Sequence, residues 1–157
     1  MAVEVRLRPS RRTYVSGESV DLRATIRNSS TRAIHVVTET AYIWRSGPDR
    51  ITVLLAESPP ANGLCYYGYI PPRTQRLGGG RTIVVPLPIG LPPREGAIDS
   101  ATGYVWREQP VSGSVTIAVT VGYLEKAFEP KTTAPWAEFV EQQQTTQPAT
   151  VRIRVAT

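Results

Sequence analysis

The chain has 157 residues, including 14 prolines and 12 glycines but only one histidine, one cysteine and one methionine. So many helix-breaking residues exclude an all-helical bundle, and the single cysteine and histidine exclude a disulfide framework and a Cys/His metal cluster. The formal charge is +5, and the excess lies in residues 1–80, which hold eleven arginines against six acidic residues.

Strict alternation of apolar and polar residues predicts the first two strands, at residues 3–7 and 20–27. Turns are predicted at residues 16–18, between these strands, and at residues 28–31, after the second one. Residues 33–37 and 41–45 then predict one strand that is broken or bulged around Glu39.

The middle of the chain predicts shorter strands that prolines interrupt. Residues 51–57 form an apolar run that Pro59 ends too early for a helix, so a strand is favoured. Residues 64–70 and 104–106 predict two brief strands. Residues 81–87 predict another strand, in which Pro86 indicates a sheet edge or a bulge because proline lacks the N–H that an inner strand needs.

Clear alternation returns at residues 114–123 and 150–155. Because the first and last strands share one pattern, we expect them to lie side by side or in the same sheet, with their apolar residues inward. Between the two later strands, Thr133 is a candidate cap, Pro135 suits a first helical turn, and Trp136, Phe139 and Val140 have helical spacing.

Seven to nine short strands without a βαβ rhythm predict an all-β fold. The architecture that we expect is a two-sheet antiparallel immunoglobulin-like β-sandwich with long loops and one short helix near residues 135–144. One domain over residues 1–157 accommodates it.

Four segments carry a resemblance to immunoglobulin-like sandwich domains, including arrestin-like modules and intracellular proteinase inhibitor modules. They lie at residues 14–20 (YVSGESV), 28–30 (NSS), 77–82 (LGGGRT) and 113–117 (GSVTI). The resemblance implies the fold and leaves the activity open. The chain departs from it by lacking a Cys…Trp…Cys core and by its long connection at residues 124–149.

No constellation of residues predicts catalysis. His35 and Cys65 each stand without a recognisable partner, so a structural histidine and a packed thiol are favoured. Asp99, beside Ser100, is the one candidate for a calcium ligand, and no acidic pair supports it. The glycines at residues 78–80 lack the spacing of a phosphate-binding loop. We therefore expect no enzyme activity and no cofactor.

Two sets of residues are candidates for binding. The first predicts a non-enzymatic protein-interaction module (an adaptor, an inhibitor-like module or an assembly component) that binds another protein, or a second copy, through aromatic loops. Its members are Tyr66, Tyr67, Tyr69, Trp136 and Phe139. Trp136 and Phe139 either dock on a partner or fold back on their own sheet. The alternative is an electrostatic binder of nucleic acid or an anionic surface through Arg6, Arg8, Arg11, Arg12, Arg152 and Arg154.

Three features bear on location. No apolar run approaches the roughly 18 residues of a membrane span. No apolar segment follows the pair Arg11-Arg12, so no signal peptide is predicted. A lone Cys65 suits a reducing compartment, and we therefore expect a cytoplasmic protein.

Overall fold

A computed structural model of the chain describes residues 3–39, 42–57, 71–92, 103 and 110–156. Within these residues the chain forms strands and one short helix in two sheets, as the all-β prediction requires. The predicted strands at residues 64–70 and 104–106, as well as Cys65 and Asp99, lie outside this range. The elements are β1 (Val3–Pro9), β2 (Thr13–Val15), β3 (Ser19–Asn28), β4 (Ile34–Val37), β5 (Tyr42–Gly47), β6 (Arg50–Leu55), β7 (Thr74–Leu77), β8 (Thr82–Gly90), β9 (Gly113–Leu124), α1 (Pro135–Gln142), β10 (Gln144–Thr145) and β11 (Ala149–Ala156).

The smaller sheet has the order β1-β3-β8, and both strand pairs are antiparallel. Its central strand, β3, is the clearest case of alternation in the chain. The apolar residues of β3 are buried in the core, whereas Asp21, Arg23 and Arg27 are exposed on the outer face. Among the described strands β8 is an edge strand, which confirms the expectation drawn from Pro86.

The larger sheet is organised around the long strand β9. On one side β9 pairs with β11 and, further along, with β10. On the other side it pairs with β6 and β4, which in turn pair with β5 and β7. The inner faces of the two sheets share one core, in which Leu22 and Ile26 of β3 and Ile117 and Val119 of β9 are buried.

The chain changes sheets between its first two strands. β1 belongs to the smaller sheet, but β2 joins the larger one and pairs in parallel with β11 at the other end of the chain. Of the two placements expected for the first and last strands, a shared sheet is wrong, because β1 and β11 lie in different sheets. They lie beside each other where the two sheets meet at one flank. Their inward orientation is confirmed, because Val3, Ile153 and Val155 are buried in the core.

The sequence led us to expect antiparallel sheets, but two of the described neighbouring strand pairs are parallel. The pairs β2–β11 and β6–β9 are parallel, because long stretches of chain bring these strands to the same sheet without a hairpin. The predicted break near Glu39 is confirmed. β4 and β5 are separate strands with different partners, β4 with β7 and β9, and β5 with β6.

The helix α1 begins at Pro135, so this proline occupies the first helical turn, as the sequence predicted. It ends at Gln142, and β10 begins two residues later, at Gln144. Thr133 does not cap it: the residue at the cap position is Ala134, whose side chain makes no capping hydrogen bond. Instead the hydroxyl of Thr132 accepts a hydrogen bond from the backbone N–H of Ala134, at 3.1 Å. The predicted cap was thus misplaced by one residue.

A buried asparagine at the end of β3 joins the turn that follows it to the end of β7. Asn28 is fully buried, and its side-chain N–H groups donate to the backbone carbonyls of Arg32, at 2.7 Å, and Leu77, at 2.9 Å. Its side-chain oxygen accepts from the N–H and the hydroxyl of Ser30. The turn after β3 and the end of β7 are thereby held together at one side chain. Close packing of Gly79 against the backbone of Thr31 completes this junction.

Candidate functional site

The aromatic residues predicted to bind a partner fall into two groups. Tyr66, Tyr67 and Tyr69 lie outside the described residues. Trp136 and Phe139 lie on α1, which packs against the outer face of the larger sheet. Both side chains are buried, with exposed fractions of 6% and 0%. They therefore contact their own sheet, the second of the two placements open from the sequence, and present little surface to a partner.

Phe139 anchors the helix through apolar contacts. It forms a small buried cluster with Val37 of β4 and Leu124 of β9, and Phe128 packs against that cluster. The two phenylalanine rings meet edge to face, with their centroids 5.2 Å apart. The apolar face of the predicted amphipathic helix is thus covered by residues of the chain itself.

Trp136 anchors the helix through a buried carboxylate. Glu57, at the end of β6, is only 4% exposed. Its carboxylate accepts a hydrogen bond of 2.9 Å from the indole N–H of Trp136 and one of 3.3 Å from the Tyr42 hydroxyl. Gln143, just after the helix, bonds both the N–H and the carbonyl of Glu57, at 2.9 and 2.8 Å. These bonds fasten both ends of α1 to one residue of the sheet.

This attachment gives a testable expectation. Trp136→Phe keeps most of the apolar surface but removes the indole N–H, so a buried carboxylate loses a donor. We expect the free energy of unfolding in urea to fall by about 1–3 kcal/mol. The matched control is Trp44→Phe on β5, where the ring is 46% exposed and the change should be near zero. Equal stability of both variants would show that the bond to Glu57 does not hold the helix.

The six arginines of the alternative set are all described. Arg6 and Arg8 are exposed on the outer face of β1, and Arg152 and Arg154 are exposed on the outer face of β11. Arg11 and Arg12 lie in the connection that carries the chain from one sheet to the other. Because β1 and β11 meet at one flank, residues that are about 140 positions apart in the sequence come together there.

A cleft of about 380 Å³ opens at this flank. It is referred to below as the arginine cleft. The residues that line it are Leu7, Arg8, Pro9, Ser10, Arg11, Arg12, Val151 and Arg152. Four of the six predicted arginines therefore converge, whereas Arg6 and Arg154 lie outside the cleft. Leu7 and Val151 are half-buried and give it an apolar part.

One of the four arginines is engaged within the chain. The Arg11 guanidinium donates a hydrogen bond to the carboxylate of Glu18 and lies over the ring of Tyr14, 4.6 Å from its centroid. The hydrogen bond from Arg11, together with one of 2.9 Å from the N–H of Val15, holds the pKa of Glu18 below its usual value. The same pairing raises the pKa of Arg11. Arg11 is thus fixed as one wall of the cleft.

The other three arginines have no such partner among the described residues. No described carboxylate lies within salt-bridge distance of Arg8, Arg12 or Arg152. Three cationic groups without a described salt-bridge partner therefore line a small concave surface. A site of this kind attracts a carboxylate or a phosphate, to which an arginine can present two parallel N–H donors.

Arg23 is a further cation at this site that the sequence reasoning missed. The strand register places Arg23 of β3 directly opposite Arg8 of β1. Like charges directly opposite each other destabilise a sheet. A second, smaller cleft of about 230 Å³ is lined by both arginines together with Asp21, Pro9 and Ser10. Alternation alone predicted that Arg23 is exposed, but its neighbour follows only from the pairing of β1 with β3.

His35 and the acidic residues are the described side chains relevant to catalytic or metal chemistry. His35 is half-buried on β4, opposite Arg76 of β7. No group of three or more histidine, cysteine or acidic residues suited to a metal ion occurs among the described residues. No helix among the described residues is both long enough and apolar enough to cross a membrane.

Comparison with protein-family models, with curated proteins and with solved structures gave no significant match.

Proposed function

We propose that the chain is an immunoglobulin-like β-sandwich that acts as a non-enzymatic protein-interaction module and binds an acidic segment of a partner protein in the arginine cleft. The single observation that carries this proposal is the convergence of Arg8, Arg12 and Arg152, without a described acidic partner, beside the half-buried Leu7 and Val151. Cations beside an apolar surface suit a peptide that has both carboxylates and apolar side chains.

The immunoglobulin-like part of the proposal is supported by the strand order. The sheets β1-β3-β8 and β11-β9-β4 around one core resemble the two-sheet arrangement of such domains. The parallel pair β6–β9 and the hairpin β5–β6 depart from it. We keep the expectation of a cytoplasmic location, since the single cysteine cannot form an intramolecular disulfide.

Nucleic acid fits the same cleft less well, for two reasons. Single strands are bound by aromatic side chains on which bases stack, and none of the described residues that line the cleft is aromatic. Duplexes are bound by basic residues spread over a broad surface. Here the basic residues are divided between two sheets. Arg6, Arg8, Arg23 and Arg27 share the outer face of one sheet with Glu4 and Asp21, and Arg152 and Arg154 lie on the outer face of the other.

The test compares two anionic probes by fluorescence anisotropy: a labelled eight-residue peptide that alternates glutamate and valine, and a single-stranded oligothymidylate. We expect the wild-type protein to bind the peptide, and the double variant Arg8→Glu/Arg152→Glu to bind it at least tenfold more weakly, a loss of about 1.4 kcal/mol. The matched control is Arg50→Glu/Arg76→Glu, which changes the net charge equally at exposed positions outside the cleft.

Three results would overturn the proposal. One is equal loss of peptide binding in the cleft variant and in the control variant. Another is absence of peptide binding at concentrations up to about 1 mM. The third is tighter binding of the oligonucleotide, with an affinity that falls by orders of magnitude between about 50 and 200 mM salt, since this would favour a nucleic-acid partner.

A further inference from the structure

The two outer strands of the smaller sheet, β1 and β8, differ in the backbone N–H groups that they present at their free edges. In β1 the ladder to β3 runs without a shift from Val3 to Pro9, and the N–H of Ser10 continues it by donating to the carbonyl of Asp21, at 2.9 Å. Backbone groups of successive residues in a strand point to opposite sides. Even-numbered residues of β1 therefore bond to β3, while Val3, Val5 and Leu7 direct their N–H and carbonyl groups away from it. No described strand pairs with β1 on that side.

The opposite edge of the sheet is closed to such pairing. The N–H of Asn28 donates to the carbonyl of Arg81, and the N–H of Leu91 donates to the carbonyl of Glu18, both at 2.9 Å. Odd-numbered residues of β8 thus face β3, and even-numbered residues face the free edge. Two of these are Pro86 and Pro88, which have no N–H to offer. The prolines remove two of the donors that a further strand on β8 would need.

The open edge of β1 leads into the arginine cleft. Leu7, whose backbone N–H and carbonyl face the free edge, is itself one of the residues that line the cleft, together with Arg8, which follows it. A strand added beside β1 would place alternate side chains on the two faces of the sheet. Those on the outer face would meet Arg6 and Arg8, and those on the inner face would meet the half-buried Val5 and Leu7.

We propose that the partner binds as an added β-strand on the free edge of β1, as an extended segment of five to seven residues in which acidic and apolar residues alternate. This inference rests on the proposed function, because it specifies how the acidic partner occupies the arginine cleft. Main-chain hydrogen bonds to Val5 and Leu7 supply affinity, and the arginines select an acidic strand. The same arginines repel a basic edge, and charged side chains of this kind limit the indiscriminate pairing of an edge strand.

The experiment uses the same glutamate–valine peptide with its backbone N-methylated at alternate residues, in two versions that differ by one residue in phase. N-methylation removes donors on one side of a strand. We expect one version to bind the wild-type protein at least tenfold more weakly than the parent peptide and the other to retain its affinity. On binding, the amide protons of Val5 and Leu7 should become protected from hydrogen exchange.

A variant of the protein tests the same edge by removing a backbone donor from β1 instead of from the peptide. Val5→Pro removes an N–H that faces the free edge and leaves the ladder to β3 intact, as Pro9 does further along the strand. We expect peptide affinity to fall at least tenfold. The control is Thr82→Pro on β8, which alters an edge-facing position far from the cleft and should leave binding unchanged. The N-methylated peptides need only the wild-type protein, so the test survives a Val5→Pro variant that fails to fold.

The outcomes separate the two proposals. If the peptide binds and Arg8→Glu/Arg152→Glu weakens it, but both N-methylated versions bind alike and the amides of Val5 and Leu7 stay unprotected, strand addition is overturned and the acidic-partner function stands. If the parent peptide does not bind, the function itself is overturned. Peptide-independent dimerisation that Val5→Pro abolishes would assign the edge to a second copy and overturn the inference.

Discussion

Replacing Ile153 by aspartate is expected to unfold the protein or to lower its free energy of unfolding by several kcal/mol. Ile153 is 3% exposed and faces the shared core, where it lies opposite Val115 of β9. A carboxylate there would lose its hydration among the apolar side chains of the described core. Since domains are stable by only about 5–15 kcal/mol in all, a loss of this size consumes much of the total.

The measurement is thermal or urea unfolding followed by circular dichroism. Thr150→Asp is the matched control, because Thr150 lies on the same strand but is exposed on the outer face. Its stability should change by no more than about 0.5 kcal/mol. An Ile153→Asp variant that melts with the parent protein would mean that the alternation of β11 has the opposite orientation.

Asn28→Asp is expected to cost at least about 2 kcal/mol although it barely changes the volume of the side chain. The two donors that bond the carbonyls of Arg32 and Leu77 are replaced by an oxygen, so acceptor faces acceptor in a fully buried site. Only the charged form is strongly repelled. The pKa of the new carboxyl in the folded protein should therefore lie above its unfolded value of about 3.9. The loss of stability relative to the parent protein should then shrink as the pH falls from the folded pKa to the unfolded one.

The control for this variant is Thr31→Asp, which adds the same charge at an exposed position of the same turn. Urea unfolding of both variants at neutral and acidic pH provides the comparison. An equal loss of stability at neutral pH in the two variants would assign the effect to charge in the turn. It would also show that Asn28 does not hold the end of β3 to the end of β7.

The sequence predicted those strands whose alternation is long. β3 and β9 have four or more apolar residues on one face. Such a long pattern predicts a strand whichever neighbours the strand pairs with. β2, β7 and β10 were missed because they have two to four residues, and β2 buries only Tyr14. Such strands form because a neighbour offers them hydrogen bonds, and their own side chains carry too little signal to predict them.

The candidate site was predictable only in part. Exposed arginines on β1 and β11 follow from alternation, but their convergence depends on which sheet each strand joins. We expected the first and last strands side by side or in one sheet, and neither placement predicts the cleft that the change of sheet after Pro9 leaves between Arg8 and Arg152. The helix was located correctly, yet its partner Glu57 lies 79 residues from Trp136, beyond the reach of local patterns.

The parallel pairing of β2 with β11 also affects the order of folding. Residues 13–15 bond to residues 154–156, so this pair closes a loop of nearly the whole chain. The entropy of closing a loop rises with its length, and contacts of such high sequence separation slow folding. The hairpin β5–β6 and the adjacent pair β1–β3 close much shorter loops. The flank that holds the arginine cleft is therefore assembled from the two ends of the chain at a late stage, and the cleft is a property of the completed fold alone.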